Sequence, residues 1–270
     1  MPPPSTGVTD ATLLCEQCGY VLEGLDAGGA CPECGQKIAE SLPSRRMGTP
    51  FQVSPGWRGF LRQCRMLMLR PAELFVRMRV ESDPNALLFF LSSALAAMSL
   101  VGPIVIFVAL LGSSMEDRII GLAAPLFLWF PALFAFMFLM WLERIGVVFF
   151  SRKRGWRVSK PVAAAICANA APSWIAASVL ANVGVGLMLL VQQVMYDLPR
   201  GWHPWAETAA AAMPVLGFIA GMLVFETLVY IGVRRCKYAN WVERPVRSDA
   251  PLSASQAATA GGTPAPPDAP

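Results

Sequence analysis

The sequence predicts an all-α polytopic membrane domain carrying a small β-type head at its N-terminal end. Two observations lead there. Hydrophobic residues make up 55% of the 270 and charged residues only 15%, against roughly 25% charged in an ordinary soluble domain. The apolar excess is gathered into uncharged blocks beyond residue 85, whereas the first 34 residues hold four cysteines in two Cys-x-x-Cys pairs.

Residues 1–12 cannot bury a core and are expected to be disordered. The head then occupies residues 13–37. Cys15 and Cys18 form one pair and Cys31 and Cys34 the other, each followed by a glycine, with twelve residues between the pairs. Two residues between thiolates let both sulfurs of a tight turn face one ion, and the glycine permits the left-handed backbone of such a knuckle. This is close to the spacing of a four-cysteine zinc ribbon. Four thiolates suit zinc best, and iron in a rubredoxin-like site shares the same tetrahedral ligation. Disulfides would need an oxidising compartment, but residues 1–14 lack the basic and apolar regions of a signal peptide. Complete ligation leaves no open position for catalysis, so the metal is read as a structural staple for a segment too short to bury a core.

Residues 38–56, rich in Ser, Pro and Arg, read as a linker. In 57–80, Trp57, Phe60, Leu61, Cys64, Leu67 and Met68 recur at helical spacing, with Arg58, Arg62 and Arg65 on the opposite face, before Pro71 ends the helix near Arg70. These arginines are candidate contacts to an anionic membrane surface; packing on the chain's own membrane domain is the compatible alternative.

Uncharged runs over 86–111 and 119–142 reach the ~20 residues that a bilayer crossing needs. A last run covers about 207–233. The stretch 161–195 is too long for one crossing at ~1.5 Å per residue and is expected to break near Leu180–Gly184, giving helices 161–178 and 182–196. Twenty of the 22 Lys and Arg residues lie before the first run, between the second and third, or after the last. Basic flanks stay in the cytoplasm, so charge alone favours four crossings with both termini inside. The tail, 248–270, is rich in Ala, Pro, Ser and Gly and is expected to be disordered.

Arg70-Pro71-Ala72-Glu73-Leu74-Phe75, followed by Asp83-Pro84-Asn85 and the first span, resembles the entry to a Yip-type (Ypt-interacting) membrane domain. Arg152-Lys153-Arg154-Gly155-Trp156 and the alanine-rich segment Val162–Ser173 resemble that family's basic-glycine loop and its helix ending in Ala-Pro. The head is similar to zinc ribbons fused to bacterial membrane proteins. The resemblance covers about residues 57–240. It implies five membrane helices within 84–240, with four crossings as the alternative, and a bacterial inner membrane with the N-terminus in the cytoplasm.

Within the runs, Glu226 is the clearest ionisable residue, and with Asn169 and Asn182 it forms the candidate intramembrane polar site. Phosphate loops, metalloprotease helices and nucleophile elbows are missing from the sequence, so no enzyme is expected. Residues 12–40 hold one lysine against five acidic residues, a poor match for nucleic acid. The expected partners are the lipid bilayer and a cytoplasmic protein docking on the head. A small transporter or channel using Glu226 is the alternative.

Overall fold

The computed structural model describes residues 12–26, 28–80, 82–111, 115–196 and 203–241. The disorder expected for 1–12 and 248–270 falls almost wholly outside these residues. The described chain is helical: α1 (Pro50–Val53), α2 (Trp57–Leu69), α3 (Pro71–Arg77), α4 (Ser82–Leu111), α5 (Met115–Lys153), α6 (Lys160–Ala170), α7 (Ser173–Tyr196) and α8 (His203–Arg235). Among the described residues the only β pairing is two isolated antiparallel bridges in the head, Leu14 with Val21 and Ala30 with Lys37.

Four helices are long and apolar enough to cross a membrane: Asp83–Pro103, Phe127–Lys153, Ser173–Val194 and Glu207–Arg235. The outward faces are apolar, with Phe127, Phe134, Leu190 and Leu216 each about 60% exposed or more, as expected where lipid replaces water. The expected helices 161–178 and 182–196 need correction. The long third stretch breaks at Ala171–Pro172, not near 180–184, so that α7 runs unbroken through Gly184. Proline removes a backbone donor and clashes with the preceding turn. The piece upstream, α6, has 11 residues and spans only ~16 Å, about half a bilayer core. It is a buried half-length helix, with Val162, Ala163, Ile166, Cys167, Asn169 and Ala170 almost wholly enclosed.

Helix directions follow from the contacts. Leu88, Leu91 and Leu95 of α4 gather with Ile175 of α7, and Asn182 of α7 donates to Ser99 O of α4 at 2.8 Å; rising numbers pair with rising numbers, so α4 and α7 are parallel. On α8, a Cβ at Gly221 would meet Ala177 of α7 and one at Gly217 would meet Leu180 O, while Gly184 of α7 abuts Met213 and Pro214. That pairing is antiparallel, and its closeness depends on small residues, the usual device where apolar burial cannot drive association. Trp174 anchors the centre: its ring lies 5.3 Å from Phe136, 6.0 Å from Phe218 and 4.7 Å from Phe225, and its Nε1 donates to Met140 Sδ at 3.2 Å.

The expected linker is structured. Residues 38–45 form two 3-10 turns, and α1 follows from Pro50. Gln52 accepts from the backbone N–H of Thr49 and Arg79 and donates to Arg79 O and Asn85 Oδ1. In α2 the apolar positions divide between two faces. Gly59, Phe60, Gln63 and Leu67 are buried against the body, while Trp57, Leu61 and Met68 are exposed beside the likewise exposed Arg58, Arg62 and Arg65.

Candidate metal centre

The two cysteine pairs fold into equivalent knuckles sixteen residues apart. In the first, Gly19 N–H donates to Cys15 O and Cys15 N–H to Tyr20 O; in the second, Gly35 N–H donates to Cys31 O and Cys31 N–H to Gln36 O, all at 2.8–2.9 Å. Gly19 and Gly35 have φ of +83° and +74°, the left-handed region that favours glycine. The knuckles face each other and bring the four sulfurs within 4.8 Å of one another, with Cys15–Cys34 at 3.5 Å and Cys18–Cys31 at 3.6 Å. A tetrahedron of ~2.3 Å metal–sulfur bonds has sulfur–sulfur edges of ~3.8 Å, so the donor set fits a tetrahedral ion without rearrangement.

The thiols are unequal without a cation. Burial pushes Cys18 up to about 12. Burial also opposes ionisation at Cys31, but the amides of Cys34 and Glu33 and the neighbouring thiols outweigh it and bring Cys31 down to about 7. Four thiolates in one small volume require a positive ion at their centre. Cys15, Leu22, Cys31 and Ile38 form the head's small buried core.

One face of this centre is bonded to the membrane domain. Glu16, inside the first knuckle, accepts from Arg46 Nη2 at 2.9 Å and from Asn240 N–H at 3.2 Å. Arg46 is buried and also donates to Phe75 O and Met78 O, the carbonyls left over at the end of α3. Burial raises the Glu16 carboxyl above its ordinary value, and Arg46 offsets only part of this. The contact therefore fixes position more than it adds stability.

Asn240, just beyond α8, uses its whole side chain. Its Nδ2 donates to Leu14 O at 2.7 Å and Ser41 O at 2.8 Å, and its Oδ1 accepts from Leu14 N–H at 2.9 Å and Arg157 Nη2 at 2.8 Å. Arg157, between α5 and α6, also donates to Thr12 O. The Tyr238 ring lies against Gly19, only 2.9 Å from where a Cβ would stand. The head thus clasps the segment before α4, the α5–α6 loop and the chain after α8. Those three segments share one end of the bundle, an arrangement compatible with the four membrane-length helices.

The chain matches no family model, no curated protein and no solved structure.

The other candidate residues do not form one site. Asn169 is fully buried on α6, accepts from Gln63 Nε2 and donates to Asn85 Oδ1, each at 2.9 Å, in a network that ties α2 to α4 and α6. Asn182 is spent on α4 carbonyls. Glu226 stands apart from both and lines, together with Glu143 of α5, a cavity of about 260 Å³ that Phe150, Ser151 and Tyr230 also border. The sequence singled out Glu226 but not Glu16, Arg46 or Asn240. Their one sequence signal is weak: each lies within a few residues of a knuckle, a helix or a span end.

Proposed function

We propose that this chain is a non-enzymatic integral membrane protein whose head holds a structural zinc ion and serves as a protein-interaction module on a Yip-like membrane scaffold, with the head in the bacterial cytoplasm. What supports this reading above all is the division of the head into two faces. The inner face is consumed by the clasp through Leu14, Glu16 and Gly19. Elsewhere the head exposes Tyr20 and Leu25, 39% and 42% accessible, and the carboxylates of Glu23, Asp26 and Glu33. Exposed apolar side chains on an acidic head suit a basic protein surface. A photo-cross-linker at Leu25 in living cells tests the module. A discrete protein adduct that disappears with Glu23→Lys and Glu33→Lys is the expected result; an unchanged pattern, or no adduct, overturns it.

A second reading has one observation in its favour. Glu143 and Glu226, carboxylates on two different membrane-length helices, line one cavity, and intramembrane carboxylates are the usual groups of an ion or proton path. If Glu226→Gln abolishes a proton-driven flux in proteoliposomes, the scaffold reading is inadequate.

A further inference from the structure

A cavity of about 750 Å³ opens on the outer face of α5 next to the first residue of α6. This lies within the ~300–1,000 Å³ of ordinary small-molecule sites. Its shape follows from helical spacing: Trp141, Ile145, Val148 and Arg152 recur every three or four residues and form one stripe, roughly 16 Å long. The deep part of the stripe is apolar and lies inside the membrane span Phe127–Lys153. Ile145, Phe149 and Trp141 there are each about half exposed. The outer end is basic. Arg152 and Lys153 finish α5, and Lys160 reaches the rim from α6.

The rim is level with the head. Arg157, three residues before Lys160, is the residue bonded to Asn240 and Thr12. Lys153 is held 4.5 Å above the Phe149 ring, where the basic end meets the apolar wall. Arg144, deeper on the same helix, can run its stem along that wall toward the surface. No acidic residue is among the described residues that line the cavity, so four cations face it uncompensated.

We propose that this cavity binds one anionic glycerophospholipid of the head-side leaflet. The charge calls for an anion, because basic pockets at the membrane surface attract lipid headgroups. The apolar wall lies at hydrocarbon depth and calls for an acyl chain, which a soluble phosphate or a protein segment from the aqueous phase would leave uncovered. The headgroup phosphate rests on Arg152, Lys153 and Lys160, and the chain follows Val148 and Ile145 toward Trp141. Arg234 and Arg235 finish α8 and are exposed as well, but neither lines this cavity, and they serve as the control.

The full chain is purified in detergent, given equal amounts of phosphatidylglycerol and phosphatidylcholine, and read by native mass spectrometry for retained lipid. The expected result is one retained phosphatidylglycerol per chain in strong preference to phosphatidylcholine. Each basic residue at a membrane surface is worth about fivefold. The triple substitution Arg152→Gln, Lys153→Gln, Lys160→Gln should therefore weaken retention about a hundredfold. The charge-preserving set Arg152→Lys, Lys153→Arg, Lys160→Arg and the control set Arg234→Gln, Arg235→Gln should both retain the lipid. Should the triple variant not fold, Lys160→Gln alone, expected to cost about fivefold, decides the matter. Unchanged retention in the glutamine variants at the cavity overturns the proposal, as does equal loss in the α8 set. Displacement of the lipid by millimolar inorganic phosphate or glycerol 3-phosphate overturns the assignment to a lipid and marks a soluble-anion site.

Discussion

Truncating Asn240 to alanine should release the head from the membrane domain while leaving both folded. The side chain is 4% exposed and makes four hydrogen bonds that join the head and the 38–45 turns to the α5–α6 loop. At about 0.5–1.5 kcal/mol net for each bond, the loss comes to about 2–6 kcal/mol, and ~3 kcal/mol is a conservative working figure. The reporter is Cys236, 1% exposed, which lies 4.0 Å from Arg46 and is therefore covered by the residue that grips Glu16. In a Cys64→Ser background, maleimide modification of Cys236, located by peptide mapping, requires the clasp to open. A ~3 kcal/mol loss should speed that modification roughly a hundredfold, since each 1.4 kcal/mol is tenfold. Asn240→Asp should label about as fast, because it sets an oxygen against Leu14 O and Ser41 O even as it strengthens the contact to Arg157. Labelling at the unmodified protein's rate in Asn240→Ala, or protection intact in Asn240→Asp, would refute this reasoning.

Gly19→Ala and Gly35→Ala should differ although both strain a left-handed backbone by about 1 kcal/mol: only the first drives a Cβ into Tyr238, so only the first should raise Cys236 labelling. Asn169→Ala should lower the temperature at which the protein leaves solution, read by size-exclusion chromatography after heating. It strips fully buried Gln63 of its one hydrogen bond, whose other polar atom, Oε1, already lacks a partner, at about 1–3 kcal/mol. By the same assay Gly221→Val should be severely destabilising, because its Cβ would stand 2.1 Å from Ala177 Cα, whereas Gly186→Val, with open space around it, should be tolerated.

The features legible in the sequence were those written in spacing or in long apolar runs. The paired cysteines with their following glycines announced two knuckles, and blocks of uncharged residues announced the spans. The distribution of arginine and lysine pointed to an even number of crossings, whereas five helices followed from the family resemblance; α6 is apolar but, at 11 residues, too short to cross. The break expected near Leu180–Gly184 falls instead at Pro172, because only proline enforces one, while a glycine in a membrane helix is kept helical by its neighbours, here Met213 and Pro214. The clasp was not legible. Glu16, Arg46, Arg157 and Asn240 lie far apart in the chain, with 226 residues separating Leu14 from Asn240, and no local pattern links them. The same holds for the meeting of Glu226 with Glu143, because nothing local on either helix shows that the bundle brings both to one cavity.

The central claim is that a head whose four cysteines can hold a metal ion ties together the segments at one end of a bundle of four membrane-length helices. Amide hydrogen exchange over residues 236–241, followed in the full-length protein before and after metal removal by a chelator, tests it directly. In this stretch Asn240 N–H is bonded to Glu16 inside the first knuckle, so the account predicts slow exchange with metal bound and a loss of protection, by an order of magnitude or more, once the knuckles unfold. Protection that survives metal removal unchanged would contradict it.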